Sequence, residues 1–334
     1  MRIFLTLLAA ATACAQSVTV QTSGTRASLR GVWAVNDEVV WASGTHGTWL
    51  RTGDGGAHWT AAAVPGAETL DFRDVQGEDA NTAYLLSIGT GASSRVYKTA
   101  DGGAHWSVSL QNRDDKGFFD EMAFWNPRHG ILVGDPVDGQ LVVMITEDSG
   151  GHWQRAKMPP ALPDEGVFAA SGTGITVLGN RQVWIGSGGP NAARVYHSAD
   201  GGSTWTVAQT PIRADSKNAG IFSLAFADVR HGIAVGGDYS KPKETAGNVA
   251  LTADGGKTWS AAATPPGGFR SAVAYLPNGK VWIAVGTSGA DISSDGGRNW
   301  RQFDGGDYNA LSFARGKSGW AVGQRGRVAK FTMP

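Results

Sequence analysis

The 334-residue chain holds a single cysteine, Cys14, and carries no surplus of either charge. One cysteine excludes a disulfide framework, a Cys-pair redox centre and c-type haem attachment. Lys plus Arg balance Asp plus Glu at 29 each, so nothing in bulk draws the chain to nucleic acid or an anionic membrane. After the first residues, no apolar run reaches the roughly 18 residues of a membrane span. No Gly-x-Gly-x-x-Gly lies between a strand and a helix, so a dinucleotide cofactor is not expected. What the chain has in quantity is glycine (48) and tryptophan (13), which suits a turn-rich all-β protein with recurring large side chains.

Residues 1–15 read as a secretory leader. Arg2 gives a positive start, Ile3 to Ala11 an apolar stretch, and Ala13-Cys14-Ala15 a small-residue cleavage site before Gln16. The expectation is an exported, periplasmic or extracellular chain cut after Ala15. Lipid attachment at Cys14 is the alternative. An exported domain cut after Ala15 would hold no disulfide and must rely on core burial and closure of its fold.

One motif recurs: Ser or Thr, any residue, Asp, any residue, Gly, two variable residues, Trp. It runs Thr52, Asp54, Gly56, Trp59 and returns around Asp101, Asp148, Asp200, Asp254 and Asp295. Successive aspartates lie 47, 47, 52, 54 and 41 residues apart. In this pattern Asp and the hydroxyl accept amides of a tight turn, Gly takes positive φ, and Trp packs between neighbouring sheets. The six aspartates are therefore expected to be structural. Each box sits in a four-strand unit; the fifth reads as 221–226, 232–236, 248–252 and 259–263. A period near 45 residues with four strands is a propeller blade. The last unit has three strands (308–313, 319–323 and 326–331) and no box. The stretch 17–22 would supply its fourth strand and close the ring. The expected fold is all-β: one seven-bladed β-propeller over 16–334.

The Asp boxes and the strand Gly319-Trp-Ala-Val-Gly323 resemble the photosystem II stability/assembly factor-like propellers of the sialidase superfamily. Asp71-Phe-Arg-Asp74, 119–125 and 134–139 look like a bacterial exported subfamily sometimes labelled oxidoreductase; no residue pattern here supports that label. The fold by itself transfers no function.

Function is expected at the end of the channel away from the boxes. Inner-strand entries carry Arg30, Arg73, Asp120, Glu121, Phe168, Phe222, Arg270 and Asn309, and the facing loops carry Asp135, Asp238 and Arg325. Arginines from separate blades, with Glu121, Asp135 and Asp238, would clamp a carboxylate or phosphate. The alternative is that these charges pair with one another. His58, His105 and His152 repeat before the box Trp but fall on different blades, so no shared metal is expected. The reading is a monomeric, non-enzymatic binding scaffold without cofactor, holding a protein segment or anionic small molecule. The competing reading is a glycoside hydrolase or lyase on an acidic sugar, with Glu121 or Asp135 as acid/base. Against it, the Arg-Ile-Pro signature of sialidases is absent, and only Tyr308 sits where a tyrosine nucleophile would.

Overall fold

The computed structural model describes residues 16–314 and 318–333; the leader read at 1–15, with Cys14, lies outside the described residues. Seven four-stranded antiparallel sheets surround one axis. The inner strands are, in order, Leu29–Ala34, Asp71–Gly77, Phe119–Phe124, Ile175–Leu178, Ala219–Phe226, Ala272–Leu276 and Ala310–Phe313. In six blades the four strands follow each other along the chain. The seventh is completed by Ser17–Gln21, which pairs with Val328–Thr332 from Ser17 opposite Thr332 to Gln21 opposite Val328. The first strand thus closes the ring, as expected, and covers the edge of Val328–Thr332 that would otherwise be free.

Each blade packs between two others, so both faces of its middle strands are covered. Val40–Gly44 and Val281–Gly286 are buried along their whole length, whereas the outer strand Ser17–Gln21 is largely exposed. The core is correspondingly divided. Seven apolar clusters form, one at each interface between neighbouring blades. Their largest fully buried side chains are the second-strand tryptophans Trp41, Trp184 and Trp320. Trp184 Nε1 donates to the carbonyl of Gly255, in the box of the next blade, at 2.9 Å. Trp41 and Trp125 bind the following blade in the same way, through the carbonyls of Asp79 and Gln182.

All six boxes share one geometry. In the first, the Thr52 hydroxyl donates to Asp54 (2.8 Å) and accepts the Gly56 amide (2.9 Å), while Asp54 accepts the His58 amide (2.9 Å). The same three bonds recur in each of the other five. The box glycines take φ from 80° to 94°, open to glycine at no steric cost. The box tryptophans do lie between blades, but only Trp300 is fully buried; the others keep one edge in solvent. Full burial goes instead to the second-strand tryptophans, which sit deeper in the blade.

Register separates the two ends of the ring. In blade 1, Ala34 lies opposite Val40 and Val40 opposite Thr52, at the box end; Leu29 lies opposite Gly44 at the other. At that second end the pairing slips by one residue in four blades, between Leu29 and Gly31, Phe72 and Asp74, Phe119 and Glu121, and Ile221 and Ser223. The extra residue in each β-bulge is Arg30, Arg73, Asp120 or Phe222. In three of these blades a second-strand glycine opposite the bulge (Gly44, Gly134 or Gly236) makes room for this, while blade 2 has Ser87 there. A Cβ at Gly134 would sit 2.1 Å from the Phe118 carbonyl oxygen, and one at Gly236 would sit 1.9 Å from that of Gly220.

Candidate binding mouth

A bulge turns a side chain out of the sheet's regular alternation. Here four bulges turn theirs toward the axis. Arg30, Arg73, Asp120 and Phe222 line one cavity of about 510 Å³, together with Asp135, Phe118, Phe168, Tyr239 and Phe269. One wall is aromatic. Phe168 stacks on Phe222 at 4.0 Å, Phe269 meets Phe222 edge-on at 4.7 Å, and Tyr239 approaches it at 6.1 Å. The other wall is charged.

The cavity has a floor because the channel is plugged. The segment 166–174, ahead of the blade 4 inner strand, crosses the axis and bonds to four other blades. Arg73 Nη1 donates to the Ala169 carbonyl (3.0 Å), and the Val167 amide to Asp135 (3.0 Å). Ser171 donates to the Ser271 carbonyl (2.8 Å), and Thr173 meets the Ser223 hydroxyl at 2.7 Å. The run Ala169-Ala-Ser-Gly-Thr-Gly174 is all small residues, which is what so narrow a passage admits. A Cβ at Gly172 would lie 2.1 Å from Asp74 Oδ1.

Beneath the cavity the blades are laced by hydrogen bonds around the axis. The Met122 amide donates to Asp74 (2.8 Å), the Val273 amide to Ser223 (2.9 Å), Ser271 to the Asn309 carbonyl (2.8 Å), and Asn309 to the Leu29 carbonyl (2.8 Å). Glu121 holds the equivalent post toward blade 4. It is fully buried against Gly174, near the amides of 173–175, and neither carboxylate oxygen makes a hydrogen bond of normal geometry. Burial and then the Asp74 charge push its pKa well above the ordinary range. Burial likewise raises Asp74 to about 7, against the bonds from Met122, Gln76 and Val75.

The expected site residues therefore sort into three sets. Arg30, Arg73 and Asp135 come together in the mouth, joined by Asp120. Arg73 Nε donates to Asp71 at 2.7 Å, and Arg30 Nε is buried without a partner. Burial and the neighbouring Arg73 lower the Arg30 pKa to about 10. Arg325 stands on the exposed rim, over a hollow shared with Arg327 and Asp307 rather than in the cavity. Three expected residues are not in the mouth. Glu121 lies under the plug, so it can neither bind a ligand nor act as acid/base on a sugar. Arg270 is fully buried, gripping Asp291 through Nε and Nη2 and the Phe269 carbonyl and Ser288 through Nη1. Asp238 is buried in a turn, accepting from Ser216 (3.1 Å) and from the amide and hydroxyl of Ser240 (2.9 and 2.6 Å).

The glycosidase pattern is not met by the tyrosines either. Tyr308 is fully buried and donates to Asp304 at 2.7 Å. A Tyr–Glu pair does exist, Tyr196 donating to Glu165 at 3.1 Å, but Tyr196 is also fully buried and Arg194 occupies both groups. The box histidines each bind their own aspartate, at 2.6–2.7 Å. Among the described residues, no three His, Cys, Asp or Glu side chains gather closely enough to hold a metal ion. No helix there is long and apolar enough to cross a membrane. A larger cleft of about 1130 Å³ opens between blades 3 and 4 on the box side, but box residues such as Asp148 and Asp200 form much of its wall.

Sequence reasoning missed Asp120's isolation, the aromatic wall (Phe118, Tyr239, Phe269) and the plug. The one available signal was the small-residue run 169–174.

Comparison with known proteins agrees with this architecture. Residues 65–210, which span blades 2 to 4, match the family described as photosynthesis system II assembly factor YCF48. The photosystem II assembly lipoprotein Ycf48 of Synechococcus sp. (strain CC9902) is 30% identical over 148 residues, covering 44% of this chain and only 38% of that relative. The solved structure of YCF48 bound to D1 peptide superposes over 96% of this chain and 97% of its own, with TM-score 0.64 and 16% identity. YCF48 from Cyanidioschyzon merolae superposes over 94% and 98%, with TM-score 0.65 and 18% identity. The six boxes and the closed ring make the chain an Asp-box propeller, and through blades 2 to 4 it is similar to the photosystem II assembly factor family.

Proposed function

We propose that this chain is an exported, non-enzymatic assembly scaffold whose mouth holds a segment of a partner protein. Arg30 and Arg73 clamp an anionic group of that segment, and the aromatic wall takes an apolar side chain beside it. The observation that carries this reading is convergence: four β-bulges from different blades aim two arginines, an aspartate and a phenylalanine at one cavity. A guanidinium stays charged and bonds planar anions with a fixed fork, which suits a carboxylate. The similar fold of a protein solved with a D1 peptide supports a peptide as the kind of ligand. The lipoprotein relative supports export, with Cys14 as a lipid attachment point.

The mouth is tested by capture from a cell extract, comparing the parent chain with an Arg30→Ala/Arg73→Ala variant. The expected result is a polypeptide retained by the parent and lost by the variant. The same retained set in both would overturn the clamp. Intact mass of the mature chain separates cleavage after Ala15 from acylation at Cys14.

A further inference from the structure

We infer that the acidic part of the mouth, Asp120 with Asp135, receives the cationic head of a basic side chain on the bound segment. The inference rests on the mouth being the partner site, and it adds a second charge to what that segment must carry.

Asp120 is 2% exposed, lines the cavity, and leaves Oδ2 without a hydrogen-bond partner. Asp135 lines the same cavity and spends one oxygen on the Val167 amide. The charged groups facing Asp120 are Asp135 and Glu121, both acidic, and burial together with these two drives its carboxyl well above the usual range, against the nearby backbone amides of Asp135 and Ala169. Neither mouth arginine neutralises the pair. Arg73 turns Nε to Asp71 and Nη1 to the Ala169 carbonyl rather than to either aspartate, and the acids acting on Arg30 are Asp71 and Asp307. A buried carboxyl with an empty acceptor is a costly arrangement that a donor cation would relieve. The facing rings of Phe168, Phe222 and Phe269 add ring faces and apolar surface, which favour a flat organic cation. A metal ion fits poorly, since among the described residues no third metal-ligating side chain joins the two aspartates.

The test uses three probes of one shape: benzamidinium, benzoate and neutral benzamide, titrated into the full chain with amide NMR signals read at Val167 and Ala169. Benzamidinium is expected to bind saturably. Asp120→Asn and Asp135→Asn should each weaken it about tenfold or more while leaving benzoate within about twofold, with resonance dispersion confirming the fold. Arg73→Ala should do the reverse. Either aspartate variant suffices if the other fails to fold. Benzamidinium binding no tighter than benzamide, or undiminished in the aspartate variants while benzoate still binds, would overturn the cation site and leave the scaffold standing. Failure of both ions to bind at the mouth would overturn both readings.

Discussion

The two ends of this ring are built on opposite principles. At the box end, six turns repeat one set of bonds, and every box aspartate and hydroxyl is satisfied; of the box side chains only the Trp106 indole lacks a partner. At the mouth, each blade contributes something different, and Arg30, Asp120 and the Asp71 that holds Arg73 all keep a buried atom unpaired. Repetition with full satisfaction is what a structural joint requires. Variation with unmet polar groups is what a ligand site retains, because its partners arrive from outside.

The contrast extends to titration. Hydrogen bonds from the residue four positions on hold the box carboxyls low: to about 2 in Asp101, Asp200, Asp254 and Asp295, and lower still in Asp54 and Asp148. Burial raises Asp74, Asp120, Glu121 and Asp135 instead.

The largest expected effect lies where a box locks onto its neighbour. Trp184→Ala removes a fully buried ring and its bond to Gly255, and should cost about 3–5 kcal/mol in denaturant unfolding. A loss under about 1 kcal/mol would mean that the box end is not the joint. Within a box, Thr146→Val leaves the Gly150 amide and Asp148 without their hydroxyl, and should cost about 1–2 kcal/mol.

Asp74→Asn tests the titration contrast. A carboxyl raised on folding stabilises fully below its unfolded value near 4, and that contribution is lost as pH rises toward the folded value of about 7. The parent should therefore lose stability between about pH 4 and pH 7, and the Asn variant should lose less over that window. Box carboxyls act in the other sense, their contribution falling away below about pH 4. Parallel melting curves for parent and Asp74→Asn across the window would contradict the assignment.

The fold was legible because the box is local: its bonds run within seven residues, so spacing alone counts blades. Closure was legible from the alternation of Ser17–Gln21 and the missing strand of the last blade. The mouth was legible in Arg30, Arg73 and Asp135, whose positions follow from blade alignment. Arg270 escaped because its partner Asp291 comes from the third strand of its own blade. Glu121 escaped because its cover, Gly172 to Gly174, belongs to another blade and crosses the axis. Asp120 leaves the strand's regular alternation because the bulge falls on it, between Phe119 and Glu121, and spacing does not reveal a bulge.

The most direct test of the division between joint and site pairs two variants in two assays, melting temperature and benzoate titration. Thr146→Val should melt lower and bind benzoate like the parent; Arg73→Ala should melt within about 2 °C of the parent and lose benzoate binding. Equal melting losses, or binding lost in both, would contradict it.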